Sequence, residues 1–269
     1  MENLSENIYN ADYYRSMRGD GKSGKLLYDI FFKQVSDLPL NQLTCLDVGC
    51  GRGEFLAYLI RAGAKDIYGF DFSQTAIKES HDCLRELVPP DKINNIKCGS
   101  IEQPDLYPDN FFDLITMMDV VEHLNPHLLA SGLKNIQRWL KPGGRLVIHT
   151  FPTLGPHRLY QTYLRLTGKK ELLSQIDAIH CNPQTQSSML QYLKDAKLIC
   201  EKIWLQNDLI YTSTAYNQMA DGALKSCTKF FIHDLLQINL LQSILSKIGM
   251  AEYANLSIYS LCTKKNAVS

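Results

Sequence analysis

The sequence predicts an α/β protein: a mostly parallel sheet with helices on both faces. Three observations point there. Between residues 43 and 151, short apolar runs alternate with segments of helical spacing. Several of the runs are near-continuously apolar, as strands covered on both faces are. Gly, Pro, Asn and Asp punctuate the joins. Strand and helix alternating at this spacing mark βαβ units.

The elements follow in order. A polar, Tyr-rich stretch leads into a helix at Lys25 to Val35, with apolar residues at 26, 27, 30, 31 and 35. LTCLDV (43–48) is the first strand. Glu54 to Ala62 is a helix with Phe55, Leu56, Leu59 and Ile60 on one face. DIYGFD (66–71) is the second strand, and Ser73 caps a helix that runs to about Leu87, before Pro89–Pro90. NIKC (95–98) and FDLITMMD (112–119) are the third and fourth strands. A helix over 126–140 stops at Lys141-Pro-Gly-Gly, and RLVIHTF (145–151) is the fifth strand. Ser187 to Ala196 is helical, LICEKIWL (198–205) is a sixth strand and NLSIYSLCTK (255–264) a seventh.

Two segments interrupt this order, 152–185 and 206–255, the second with an amphipathic stretch at 229–248. No linker, repeat or low-complexity tract divides the 269 residues, so the chain reads as one domain. Its parts are an N-terminal helical lid (1–42, with Tyr9, Tyr13 and Tyr14), a core (43–151) and two insertions.

Composition narrows the class. With 45% apolar and 21% charged residues, the chain is of globular type. Its 28 basic and 28 acidic residues balance, which speaks against a phosphate-tracking surface, so no nucleic-acid partner is expected. No apolar run reaches the roughly 18–20 residues that cross a bilayer, and the start lacks the pattern of a secretory signal. The eight cysteines form no CxxC pair, and several sit within apolar runs. Reduced thiols and a cytoplasmic location are therefore expected.

The sharpest feature is LDVGCGRGEF (46–55), between a strand and a helix. Gly49, Gly51 and Gly53 allow positive φ and close approach of a ligand to the backbone. The helix behind offers free N–H groups and a positive dipole end. A dinucleotide loop needs a third glycine where Glu54 stands, and Glu54 would repel a pyrophosphate. Asp47, just before the loop, points to a ligand with an amino group. Asp71 ends the second strand 22 residues after Gly49 and suits ribose hydroxyls. Phe72 beside it joins the cofactor contacts. After the third strand, Ile101 suits an adenine face and Ser100 its edge. Amino acid, ribose and adenine together describe S-adenosylmethionine (SAM).

The chain resembles the class I SAM-dependent methyltransferases. The resemblance rests on LDVGCGRGEF, the acid in YGFDFS, FFDLITMMDVVEHL (111–124) and LKPGGRLVI (140–148). Within that superfamily it is most similar to ubiquinone-biosynthesis O-methyltransferases and their small-molecule relatives. The resemblance implies a Rossmann-like seven-stranded sheet in the order 3-2-1-4-5-7-6, with strand seven antiparallel. It places Met118 beside the cofactor and leaves Arg18 and Lys25 as candidates for the family's N-terminal cofactor contact.

Methyl transfer needs alignment and exclusion of water, and a hydroxyl acceptor also needs a base or a metal. Asp119, Glu122 and His123 follow strand four, matching two acids and a His in the ubiquinone-type enzymes. Three roles fit them: bracing the turn, general base, or a divalent metal site. Bracing is the preferred reading and metal the least favoured. His149 ends strand five, near where acceptors approach. His180 opens HCNPQTQSSMLQYL, similar to an H-x-N-x-x-T-x-x-S-L phrase in relatives that act on glycan or lipid-pathway substrates. His123, His180 and His149 are thus the catalytic candidates.

The expected function is methyl transfer from SAM to a small or lipid-like acceptor, with O-methylation first and C- or N-methylation as alternatives. The phrase after strand four is Met118-Asp-Val-Val, without the Asn/Asp-Pro-Pro-aromatic pattern of adenine and glutamine methylation. An NAD-dependent oxidoreductase and a non-catalytic SAM-binding subunit are the rivals from other classes. The 229–248 stretch fits three roles: a core helix, a dimer contact or a peripheral membrane contact.

Overall fold

The computed structural model describes residues 28–206, 247, 251 and 255–266. The expected lid tyrosines, Arg18, Lys25, the amphipathic stretch 229–248 and most of the second insertion lie outside the described residues.

One sheet holds β1 (Thr44–Val48), β2 (Asp66–Asp71), β3 (Ile96–Cys98), β4 (Phe112–Met118), β5 (Leu140–Thr150), β6 (Leu198–Gln206) and β7 (Ser257–Lys264). The strand order is β3-β2-β1-β4-β5-β7-β6, as the resemblance implies. The first five strands run parallel. β7 is antiparallel to both β5 and β6.

The α-helices whose bounds lie within the described residues are α1 (Glu54–Arg61), α2 (Gln74–Leu84), α3 (Pro126–Trp139), α4 (Leu154–Leu166), α5 (Lys170–Ile179) and α6 (Gln186–Asp195), and residues 28–32 are helical as well. Burial on both faces explains why the central strands are apolar throughout. Along β4, Ile115 and Met117 pack with Leu133, Ile136 and Trp139 of α3 and Met189 of α6. Leu114 and Met118 pack on the other face with Phe55, Leu56 and Leu59 of α1 and Ile77 of α2. A third cluster joins Phe151, Tyr160 and Leu164 to Ile176 of α5.

Three boundaries differ by several residues from the sequence expectation. The N-terminal helix gives way to turns after Phe32 rather than at Val35. α2 stops at Leu84 rather than near Leu87. The Leu84 carbonyl accepts from both Leu87 N–H (2.8 Å) and Val88 N–H (3.1 Å), so the chain tightens into turns before Pro89. β5 begins at Leu140 rather than 145, because Leu140 already pairs with Phe112. The register then shifts between Phe112 and Leu114, which absorbs the Lys141-Pro-Gly-Gly stretch. Lys141 Nζ anchors it, 2.7 Å from Asp113 Oδ2.

No helix among the described residues is long and apolar enough to cross a membrane.

Candidate functional site

The glycine loop turns from β1 into α1 with three left-handed residues: Gly49 at φ +67, Gly51 at +50 and Gly53 at +78. They are glycines for different reasons. A Cβ at Gly49 would stand 2.5 Å from Val120 Cγ2, and one at Gly53 would meet Ser80 at 3.1 Å. A Cβ at Gly51 would meet nothing within 4 Å. Gly51 therefore faces open space, and its backbone is partly accessible.

Asp71 binds that loop from the end of β2. Its Oδ2 accepts from Gly51 N–H at 3.0 Å, and its Oδ1 from Ser73 N–H at 2.9 Å. Ser73 in turn caps α2, its Oγ accepting from Ala76 N–H at 3.3 Å. Each carboxylate oxygen has two lone pairs, so these bonds, with the pull of the Phe72 N–H, still leave acceptor capacity for a hydroxyl. Burial pushes the Asp71 carboxyl up to about 6, against the pull of those N–H groups. Asp47 lies beneath the loop, almost wholly buried, with Oδ1 accepting from Thr116 Oγ at 2.7 Å. Burial pushes it up to about 7.

The other expected cofactor contacts are spread around this loop. Phe72 is 38% exposed next to Asp71. Ser100 N–H donates to Gln103 Oε1 at 2.8 Å. The Ile101 side chain is 4% exposed, packed so close to Gly132 of α3 that a Cβ there would lie 2.6 Å from Ile101 Cδ1. Met118 ends β4, half-buried.

Beyond Met118 the chain kinks at Asp119, with φ +51, into a single 3-10 turn at Val121–His123. The three titratable side chains here each take a different hydrogen-bond or ion-pair partner, while His123 Nε2 stays 3.8 Å from Glu122 Oε1. Asp119 Oδ1 reaches His149 Nδ1 at 2.7 Å. Glu122 is 1% exposed and its Oε2 accepts from Thr150 Oγ at 2.7 Å. Burial, with Asp119 nearby, pushes the Glu122 carboxyl up to about 8. His123 Nδ1 is 2.7 Å from the Ile179 carbonyl, which can only accept. That nitrogen therefore carries the proton, and Nε2 holds the lone pair of the neutral ring. Among the described residues no group of three or more His, Cys, Asp or Glu is arranged to hold a metal ion.

The 152–185 segment is stitched to this turn. Asn182 N–H donates to the Glu122 carbonyl at 3.0 Å, and Leu154 N–H to the Gln184 carbonyl at 2.8 Å. The stitching stacks His180 on His123, with ring centroids 5.2 Å apart at 28°. It also brings in His157 from the first turn of α4, edge-on to His180 at 6.0 Å. Burial lowers the pKa of all three rings. His180 falls well below the usual value, because His123 and His157 also oppose a charge there. His180 Nδ1, His157 Nδ1 and Asn182 Nδ2 are buried without a hydrogen-bond partner. Each such orphan is costly unless a ligand or water meets it.

The structure thus brings together two of the three candidate histidines. His123 and His180 stack, while His149 is fully enclosed between Asp119 and Tyr259, whose ring lies 4.6 Å away. Sequence reasoning missed His157 and Asn182. A lone His inside an amphipathic helix carries no local signal of its partners.

An α/β sheet of this order, with a glycine loop held by an acid at the end of the neighbouring strand, defines a nucleotide-cofactor fold at a topological switch point. Residues 46–148 match the family model described as a methyltransferase domain. The chain is 31% identical over 112 residues to a tRNA U34 carboxymethyltransferase of Actinobacillus succinogenes, covering 42% of this chain and 33% of that protein. It is 32% identical over 125 residues to the mitochondrial ubiquinone biosynthesis O-methyltransferase of Dictyostelium discoideum, covering 44% and 38%. The chain therefore matches little more than a third of the length of either relative. Among solved structures, the geranyl diphosphate C-methyltransferase of Streptomyces coelicolor superposes with a TM-score of 0.64 at 14% identity, covering 95% of this chain and 85% of that one. Residues 46–148 thus carry a methyltransferase domain, on a fold shared with solved SAM-dependent methyltransferases.

Proposed function

We propose that this chain transfers a methyl group from SAM to a hydroxyl of a small or lipid-like acceptor. The observation that carries the reading is the Asp71 carboxylate at Gly51 N–H, 3.0 Å, below a loop face left open by glycine. Those residues fit the cofactor: a buried acceptor with spare lone pairs suits a ribose hydroxyl, and the partly accessible loop backbone suits the amino-acid end. When bound, SAM supplies an electrophilic methyl on a sulfonium centre.

The chain's own residues supply the rest. Asp71 and the loop orient, with Asp47 set below for the amino group, and Phe72, Ser100, Ile101 and Met118 complete the surround. His180 is the proposed proton acceptor. Its lowered pKa keeps the ring neutral at pH 7, and a neutral imidazole can take a hydroxyl proton. His123 holds it by stacking, with its own ring fixed by the Ile179 carbonyl. Asn182 and His157 meet the acceptor's polar groups with their orphaned nitrogens. His149 acts through Asp119 as a positioning residue.

The test is a coupled assay of S-adenosylhomocysteine release with a panel of hydroxylated metabolites and lipids, plus arms with carbon acceptors, amines and tRNA. Turnover with a hydroxyl acceptor is expected. His180→Gln should lower kcat by about 10²–10⁴-fold with SAM affinity kept. Turnover confined to tRNA or to carbon acceptors overturns the acceptor reading. Tight NADH binding without SAM binding overturns the reaction.

A further inference from the structure

Cys200 and Cys262 stand directly opposite each other on β6 and β7. Opposed residues of an antiparallel ladder project from the same face, with Cα atoms about 4.5–5.5 Å apart. A disulfide needs Cα atoms about 4.4–6.8 Å apart, so the pairing alone brings the two thiols within bonding range. No other two described cysteines are register partners in the sheet.

Their surroundings favour reaction at one of the two. Cys262 is buried and Cys200 only partly so, on a strand that among the described residues pairs with β7 alone. The two facing thiols perturb each other, which lowers the pKa of Cys200 and raises that of Cys262. Just past Cys200 the ladder shifts register, before Lys202, and such an irregularity gives the strand local slack. Both residues lie at the start of β6 and the end of β7, where Cys262 pairs with Leu146. The candidate site is at the other end of the sheet, beyond His149.

We infer that Cys200 and Cys262 form a reversible disulfide, made by exchange with a small-molecule disulfide of the glutathione class. The Cys200 thiolate attacks one sulfur of the oxidised reagent, breaks its S–S bond and expels one thiolate, leaving a mixed disulfide. The Cys262 thiol then gives its proton to water, attacks the Cys200 sulfur and expels the second thiolate. Two protein thiols become one S–S bond, and the reagent is reduced to two thiols. The product ties together the two strands that flank residues 207–254.

The test uses the full chain equilibrated in oxidised and reduced glutathione at stepped ratios, trapped with an alkylating agent and read by intact mass and peptide mapping. The expected product has lost two hydrogens, links the peptides holding Cys200 and Cys262, and is reversed by dithiothreitol. Cys200→Ser and Cys262→Ser should each abolish it, and Cys262→Ala serves if the serine fails to fold. Single glutathione adducts on exposed Cys83, Cys98 or Cys181 have a distinct mass. An adduct on Cys200 that never resolves, a link to Cys227, or two alkylated thiols after oxidation would each overturn the inference. SAM binding should be equal in the oxidised and reduced chain, so this result is independent of the proposed function.

Discussion

Asp119 Oδ1 lies 2.7 Å from His149 Nδ1 and so joins the residue after β4 to the end of β5. The Asp119 N–H also donates to the His149 carbonyl at 3.1 Å. The backbone at Asp119 is left-handed, a conformation that costs most residues about 1–2 kcal/mol and that Asp and Asn tolerate best. Asp119→Ala should therefore lower stability by about 1–3 kcal/mol, through the strain and the lost contact to a buried ring. Asp119→Asn should recover much of that. Equal losses in urea unfolding would show that neither the strain nor the contact matters.

Gly49 and Gly51 separate folding from binding. Gly49→Ala drives a methyl into Val120 and should cost about 1–3 kcal/mol of stability, as overpacking does. Gly51→Ala meets open space, so its stability cost should stay near the 1–2 kcal/mol of left-handed strain. Its methyl nevertheless occupies the accessible face of the loop. SAM affinity should fall most in Gly51→Ala, as measured by calorimetry on the folded fraction. An unchanged affinity there would place the cofactor elsewhere.

Asp71→Ala removes the acceptor at the loop. SAM binding should weaken by about 1–3 kcal/mol, the scale of hydrogen bonds to a charged group. The free carboxyl titrates near 6, so wild-type affinity should also decline as the pH falls through that value. Calorimetry at pH 5.5 and 7.5 checks both, and a pH-independent affinity would argue against Asp71 as the anionic acceptor.

The buried carboxyls set the stability profile above neutrality. Glu122 is raised to about 8 from an ordinary 4.5, so the folded chain holds a proton that the unfolded chain releases. Its contribution to stability is complete below 4.5 and is lost as the pH rises through 8. Asp47, raised to about 7, acts in the same sense. The buried histidines act oppositely, but only below about 6.5, where the unfolded chain gains the protons. Between pH 7 and 8.5 the unfolding midpoint should therefore fall. Glu122→Gln keeps an oxygen for Thr150 and should flatten that fall by about 1 kcal/mol, a little under the worth of one pKa unit. A variant with the wild-type slope would relocate the effect.

What the sequence disclosed was what neighbouring residues decide. The Ser73 cap, the glycine loop and its helix, and the apolar strand runs all depend on a few adjacent positions, and the structure has them where the spacing puts them. The acid at the end of β2 was legible because its distance from the loop is fixed by one βα unit. Glu122 with Thr150, and Asp47 with Thr116, were not, since both depend on the register of neighbouring strands. His157 was invisible for a related reason. Its place beside His180 comes from the bonds between 153–154 and 182–184, which no periodicity encodes. The Lys141-Pro-Gly-Gly stretch misled because a stop signal for a helix was also taken to delay the strand, whereas Leu140 is already paired.

Among the described residues the last strand in sequence, β7, sits between β5 and β6, and β6 has no other described neighbour in the sheet. On a ribosome, everything through Gln206 emerges before Ser257 does. During that interval β5 shows a bare edge of backbone donors and acceptors, and β6 has nothing to pair with, a state open to mispairing with other chains. Sheet closure thus waits until residues 257–264 have left the ribosome. A nascent chain arrested just short of residue 257 should be far more prone to aggregate than its length alone suggests.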